Sequence, residues 1–248
     1  MKHRLDKLVV DRGLASSRER ARALILAGKV LVNDQRVDKA GAQVDAGSAI
    51  RSLAEDLKYV SRGGLKLERA LEHWNIDVSG KTCLDIGAST GGFTDCLLQH
   101  GAVRVIAVDT GYGQMHVRLR DDARVRLLER SNARYLTAQA VGEVVDLIVM
   151  DVSFISATTV LPPVVAAAFP APTERGGRTM VVLVKPQFEV GKGLVGKGGI
   201  VRDPLAQAAA QEKVRQCCLS LGCVKTDVLE SPILGAEGNR EYLLLAGF

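Results

Sequence analysis

A chain of 248 residues with 47% hydrophobic and 25% charged side chains has ordinary globular composition, enough for one α/β domain and a small companion. Disorder and collagen-like repeats are excluded. The formal charge of +5 is unevenly placed: residues 1–39 hold ten basic and five acidic side chains, an excess equal to that of the whole chain, which points to a polyanion contact at the small end over a merely solubilising charged helix face.

The longest apolar runs, 180–184 and 160–169, fall well short of the roughly 18–20 residues of a membrane span, and the second holds two prolines. The opening MKHRLDKLVVDRG scatters its charges and lacks the apolar stretch of an export signal. Five cysteines, an odd number set mostly in apolar segments, read as reduced thiols of the cytosol, so a cytoplasmic protein is expected. Cys217, Cys218 and Cys223 have no companion cluster and the four histidines are dispersed, so no metal site is expected.

In chain order, RLDKLVVDRG predicts a short helix with Leu5, Leu8 and Val9 on one face and Gly13 as its stop. SSRERARALILAGK predicts a second helix, capped by Ser16 or Ser17, buried through Ala21, Leu24 and Ile25, and ended by Gly28. Arg18 and Arg22, four apart, share a face, with Arg20 flanking. VLVNDQRV reads as two strands joined by a tight turn at Asn33-Asp34, and SAIRSL as a closing strand. A linker is expected near 54–58.

Beyond it, SRGGLKLERAL predicts a helix with an apolar face of Leu65, Ala70, Leu71 and Trp74. Strands follow at 82–87, 104–109, 125–130, 145–151 and 179–186, with helices at 91–101 and 204–221, and VKTDVLE and EYLLLAGF close the chain as two more strands. Near-continuous apolar strands between helices predict a mainly parallel sheet covered on both faces, with an antiparallel strand from the final pair. The first of these strands runs into Asp85-Ile-Gly87-Ala-Ser89-Thr-Gly91-Gly92, where glycines let the backbone approach a ligand at the sheet's carboxyl edge. The spacing is not the G-x-G-x-x-G of a dinucleotide site. Asp109 closes the second strand, where a carboxylate accepts hydrogen bonds from ribose hydroxyls. The segment Gly191–Gly198 nearly spells a phosphate-binding loop, but it lacks the final Ser or Thr and a helix directly after it, and reads as a surface loop. Asp151 and Lys185 end two buried strands at the ligand edge, where an unpaired charge is costly unless used.

Several strings carry a family resemblance. R-x-x-A-x-x-L-I-x-x-G-x-V-x-V-N, within residues 3–53, resembles the S4 RNA-binding domain. YVSRGGLKLERAL, CLDIGASTGGFTDCLL, VDTGYGQ, NAR, DLIVMDVSFIS, LVKPQFEVGKG and GNREY resemble the TlyA-type methyltransferases, which join an S4 domain to an FtsJ-like 2′-O-ribose RNA methyltransferase. The resemblance implies a Rossmann-like class I methyltransferase domain over 59–248, preceded by a small α+β S4-like RNA-binding domain and linker over 1–58. It implies S-adenosylmethionine as methyl donor and ribosomal RNA or a ribosomal subunit as partner, with no membrane. The FtsJ-like Lys–Asp–Lys–Glu tetrad falls on Lys66, Asp151, Lys185 and Glu241, with Glu237 as an alternative fourth member.

The resemblance further implies that the cofactor meets Asp85, Gly87, Ser89, Gly91, Gly92, Asp109, Asn132 and Asp151, and that Arg4, Arg18, Arg20, Arg22 and Lys29 meet RNA phosphates. Lys185 is then the base or hydroxyl-orienting group. A lysine works so near neutrality when burial or neighbouring positive charge favours its neutral form. Asp151 positions it and steadies the sulfonium, and no metal is needed. The family modifies cytidine 2′-hydroxyls, and its longer members also act on small-subunit RNA. This chain stops directly after EYLLLAGF, which predicts the shorter, large-subunit kind. The family's other historical name, haemolysin, suggests a pore, which no membrane span or export signal supports. A catalytically inactive assembly factor is the other alternative, and the intact Gly87, Asp109, Asp151 and Lys185 argue against it.

Overall fold

The computed structural model describes residues 2–15, 17–53, 58–169, 171–235 and 238–248. Ser16, Glu237 and linker positions 54–57 lie outside the described residues. Two compact units divide the chain at Leu57 and Lys58.

The first unit contains β1 (Lys2–Arg4), α1 (Leu5–Asp11), α2 (Arg18–Leu26), β2 (Val30–Val32), β3 (Gln35–Arg36), β4 (Gln43–Asp45) and β5 (Ile50–Ser52). Leu5, Leu8 and Val9 of α1 pack with Ala21, Leu24 and Ile25 of α2 over Val30, Val44 and Ile50. The Ser17 hydroxyl accepts from the Arg20 N–H at 3.1 Å and caps α2. Asn33 and Asp34 both have positive φ, 49° and 65°, which a two-residue hairpin between β2 and β3 requires and which these side chains tolerate. The helix expected from Arg4 begins one residue later. Lys2–Arg4 is extended and pairs antiparallel with β4, His3 opposite Val44. Three residues carry no readable periodicity, and long-range pairing decides their conformation.

The second unit contains α3 (Gly63–His73), β6 (Thr82–Ile86), α4 (Gly92–Gln99), β7 (Arg104–Val108), α5 (Val117–Arg120), β8 (Val125–Leu128), α6 (Ala138–Val141), β9 (Leu147–Met150), α7 (Ala157–Ala168), β10 (Thr179–Val184), α8 (Pro186–Glu189), α9 (Pro204–Ser220), β11 (Lys225–Glu230) and β12 (Tyr242–Gly247). Its seven-stranded sheet runs β11-β12-β10-β9-β6-β7-β8. β6 pairs parallel with β7 and β9, and so do β7 with β8 and β9 with β10; β12 lies antiparallel to both its neighbours.

Side chains alternate between two cores, as the period of a strand demands. Leu84, Ile106, Ile148 and Val182 join Val160, Leu161 and Val164 of α7 on one face. Cys83, Val105, Leu147 and Val181 join Leu67, Ala70 and Leu71 of α3 on the other. Strand order reverses beside β6, which opens a crevice at the carboxyl ends of β6 and β9.

The helix α7 has no counterpart in the sequence reading, because Pro162 and Pro163 sit inside it. Each proline costs about 3 kcal/mol of helix propensity. Five buried side chains, Val160, Leu161, Val164, Val165 and Ala168, outweigh that, since a buried valine or leucine contributes about 1.5–3 kcal/mol. Ser156 caps the helix by accepting from the Thr158 N–H.

Candidate active site

The segment from Gly87 to Gly91 carries the chain from β6 into α4. A Cβ at Gly87, where φ is +83°, would collide with the Asp151 carbonyl oxygen, and one at Gly92 would collide with the Ser61 hydroxyl. Only glycine lets these backbones approach so closely. Ser89 takes a positive φ of 47° without being glycine. Its N–H donates to Asp109 Oδ2 at 2.8 Å, and the Gly111 N–H donates to Asp109 Oδ1 at 2.6 Å. Asp109 therefore clamps the glycine turn to the end of β7, while its remaining lone pairs stay available.

A cleft of about 250 Å³ opens here, with Lys66, Gly87, Ser89, Thr90, Gly92 and Asp151 on its walls. Lys66 lies on the buried side of α3 together with Leu67, Ala70 and Leu71. The expected face of Leu65, Ala70, Leu71 and Trp74 packs on this core, with Ala70 and Leu71 buried and Leu65 and Trp74, the helix cap, half-buried. Lys66 Nζ donates to Glu241 Oε2 at 2.5 Å, with both side chains at least nine-tenths buried. Gly235 makes room for that carboxylate, since a Cβ there would collide with it. Lys185 Nζ pairs with Asp151 Oδ1 at 2.6 Å and donates to the Ser153 hydroxyl at 2.7 Å. The four expected tetrad residues thus form two ion pairs, and Lys66 and Asp151 face the cleft.

Asp85 is fully buried, and the Thr94 hydroxyl donates to its Oδ2 at 2.6 Å. Burial pushes its carboxyl up to about 7, against the opposing Thr94 hydrogen bond. Asp85 stands under the turn and is not on the cleft wall. Gly91 is also buried, with φ +96°. Asn132 is exposed and accepts from the Arg134 N–H at 3.1 Å, capping a short turn of helix at Ala133–Tyr135. The loop at 191–199 forms two single-turn helices. Asn239, fully buried, ties this loop in by accepting from the Val201 N–H and donating to the Gly199 carbonyl.

In the first unit, Asp6 is buried and accepts from Arg4 at 2.9 and 3.0 Å and from Arg18 at 3.0 Å. These hydrogen bonds, with Arg4's the largest, hold its carboxyl down to about 2. Arg4 and Arg18 therefore have a structural partner within the unit. Arg22 and Lys29 are exposed and Arg20 is half-exposed. Ser61, Ser153 and Gly235 have no counterpart in the sequence reading. Their contacts span up to tens of residues, and the only local signal, small residues beside the motifs, fits any turn.

Among the described residues, no cluster of His, Cys, Asp and Glu suits a metal ion, and no helix is long and apolar enough to cross a membrane.

A parallel sheet with one antiparallel strand inserted before its edge, a glycine turn after its first strand and an acid at the end of its second define a class I methyltransferase fold. The FtsJ-like methyltransferase model matches residues 59–248 and the S4 domain model residues 3–50, and the chain belongs to the FtsJ-like methyltransferase family with an S4 domain at its amino end. It is 48% identical to the 16S/23S rRNA (cytidine-2′-O)-methyltransferase TlyA of Mycobacterium tuberculosis, over 97% of this chain and 88% of that one. It is 41% identical to Hemolysin A of Brachyspira hyodysenteriae, over 97% and 98%. A solved structure named "Putative hemolysin", from Streptococcus thermophilus, superposes with a TM-score of 0.73 at 40% identity, over 99% of this chain and 88% of that one.

Proposed function

We propose that the protein transfers a methyl group from S-adenosylmethionine to a cytidine ribose 2′-hydroxyl of ribosomal RNA, with large-subunit RNA as its target. The observation that carries the reading is the lysine held at the sheet's carboxyl edge. Lys185 Nζ is fixed by Asp151 and Ser153, beside a glycine turn that leaves bare backbone on the cleft wall. The name of the M. tuberculosis relative supports the substrate class.

The residues present fit the cofactor. Gly87 and Gly92 put no side chain into the cleft, Ser89 and Thr90 offer hydroxyls, and Asp109 supplies a carboxylate at the end of β7. When bound, S-adenosylmethionine supplies an electrophilic methyl on a sulfonium. Gly87, Ser89 and Gly92 would pass close to its methionine end, Asp109 would accept from its ribose, and Asn132 would lie towards its base.

A ribose hydroxyl becomes a competent nucleophile as it gives up its proton, and reacting atoms need an approach of about 3–3.5 Å. Lys185 Nζ would orient that hydroxyl and take its proton as the methyl passes from sulfur to oxygen. Asp151 and Ser153 set the direction of the Lys185 side chain. Lys66, held by Glu241, lines the same cleft as Asp151. Exposed Arg22 and Lys29, with Arg20, would grip RNA phosphates. Such a substrate implies a cytoplasmic setting.

Purified protein incubated with S-adenosylmethionine and ribosomal RNA should yield 2′-O-methylcytidine, identified by mass spectrometry after nuclease digestion. Absence of that nucleoside from both subunits' RNA and from intact subunits would refute the reading. Lysis of red cells by the same preparation would favour the other name its relatives carry.

A further inference from the structure

Glu189 ends α8, four residues after Lys185, and its side chain is buried. Its carboxylate accepts from the Ser156 hydroxyl at 2.5 Å and from the Ala157 N–H at 2.6 Å. It also pairs with Lys213 of α9 at 3.2 Å, and Lys213 Nζ donates to the Glu189 carbonyl oxygen at 2.8 Å and to Ser156 at 3.3 Å. None of these groups lines the cleft or takes part in the chemistry described above.

The two chain segments that reach this carboxylate are the ones that carry the reacting pair. Residues 151–156 leave β9 with Asp151 and Ser153, and residues 185–189 leave β10 with Lys185. Both are exits from strands, the first irregular as far as α7 and the second passing directly into the single turn of α8. The first also contains Phe154 at φ +64°, an uncommon conformation for a bulky residue, which persists only where the surroundings hold it. The Lys185–Asp151 and Lys185–Ser153 distances depend on the two exits keeping their register. Ala157 is the first residue of α7 and Ser156 its cap, so the carboxylate holds the first exit at a helix N-terminus, where negative charge is favoured. Through the Glu189 backbone, the same residue ends the second exit. Lys213 brings in α9 as a third, fixed support.

The geometry points to Glu189 as a positioning residue for the methyl transfer: it locks the two strand exits together so that Lys185 keeps its direction against Asp151 and Ser153. The inference rests on the reading that Lys185 and Asp151 perform the chemistry.

Glu189→Ala and Glu189→Gln test it in the full-length enzyme, with kcat and KM measured for S-adenosylmethionine and for ribosomal RNA. Glutamine keeps an acceptor for the Ala157 N–H and an amide that can donate to Ser156, whereas alanine keeps neither. The alanine variant should lose at least roughly tenfold in kcat per bound cofactor, with both KM values within about threefold of wild type. The glutamine variant should recover most of that loss. A purely structural role would lower the fraction able to bind cofactor and leave kcat per bound cofactor unchanged.

Wild-type kcat per bound cofactor in Glu189→Ala would overturn the positioning role. If that variant does not fold, Ser156→Ala decides, because it removes one hydroxyl from the same junction. A several-fold lower kcat at unchanged KM supports the role, and an unchanged kcat overturns it. Methyl transfer by wild type alongside an unaffected Glu189→Ala would sink this inference alone. No transfer by wild type would sink the proposed function, and the positioning role with it.

Discussion

Replacing Asp85 with asparagine should change how the stability of the methyltransferase unit depends on pH. Asp85 is wholly buried, and burial lifts its carboxyl from the ordinary 3.8 to about 7; the negative charge of Asp151 adds to the rise, and the Thr94 hydroxyl opposes it. Between those two values the folded protein holds a proton that the unfolded chain has released. Folded protein binding more protons means that stability falls as pH rises, by at most about 1.4 kcal/mol per pH unit for one group. From pH 5 to 7 the contribution is about 1–3 kcal/mol, allowing for relaxation around the charged form. Asparagine has nearly the same shape, can accept from Thr94, and does not titrate.

Urea denaturation of both proteins at pH 5, 6, 7 and 8, followed by fluorescence of the single tryptophan, makes the comparison. Trp74 caps α3 and donates to Asp227, so it reports on this unit. The asparagine variant should gain on wild type by about 1–3 kcal/mol between pH 5 and 7. Parallel pH profiles for the two proteins would refute the reasoning and show that the buried carboxyl does not hold its proton there.

Glu241→Ala leaves Lys66 buried without its partner and should destabilise the unit by about 3–5 kcal/mol in the same tryptophan assay; a loss below about 1 kcal/mol would show that the ammonium is readily solvated. Asp109→Ala frees the Ser89 N–H of the glycine turn and the Gly111 N–H and removes the ribose acceptor, so calorimetry should show weaker S-adenosylmethionine binding, by about 1.5–3 kcal/mol for each charge-assisted hydrogen bond removed. Unchanged affinity would move the ribose partner elsewhere. Combined Arg20→Ala, Arg22→Ala and Lys29→Ala should make RNA affinity less salt-dependent, by roughly 0.7–0.9 in the logarithmic slope for each phosphate no longer neutralised, without altering cofactor binding. That set spares Arg4 and Arg18, which Asp6 needs, and an unchanged slope would place the RNA grip on other residues.

The parts of this architecture that were legible in the sequence are those that local composition dictates. Strands β6, β7, β9 and β10 are buried on both faces, so each shows as a nearly continuous apolar run, broken in β6 by Asp85. The Asn33-Asp34 hairpin and the Gly13 and Gly28 stops are legible because positive φ narrows the choice of residue. Asp151 and Lys185 stood out as charges ending buried strands.

The rest depends on distant partners. Helix α7 hides behind Pro162 and Pro163 because tertiary burial overrides propensity, and β1 exists only through its pairing with β4. Arg18 looks like a free surface cation until Asp6 is seen to be buried beside it. Ser153 and Glu189 are ordinary polar residues in sequence and acquire significance only where the exits of β9 and β10 meet.

The most direct test of the central claim compares wild type with Lys185→Ala in methyl transfer from labelled S-adenosylmethionine to ribosomal RNA, with cofactor affinity measured in parallel. Lys185 is assigned to the 2′-hydroxyl proton, so the variant should lose roughly 10²–10⁴-fold in rate while its cofactor affinity stays within about threefold. Wild-type turnover in Lys185→Ala would contradict the account.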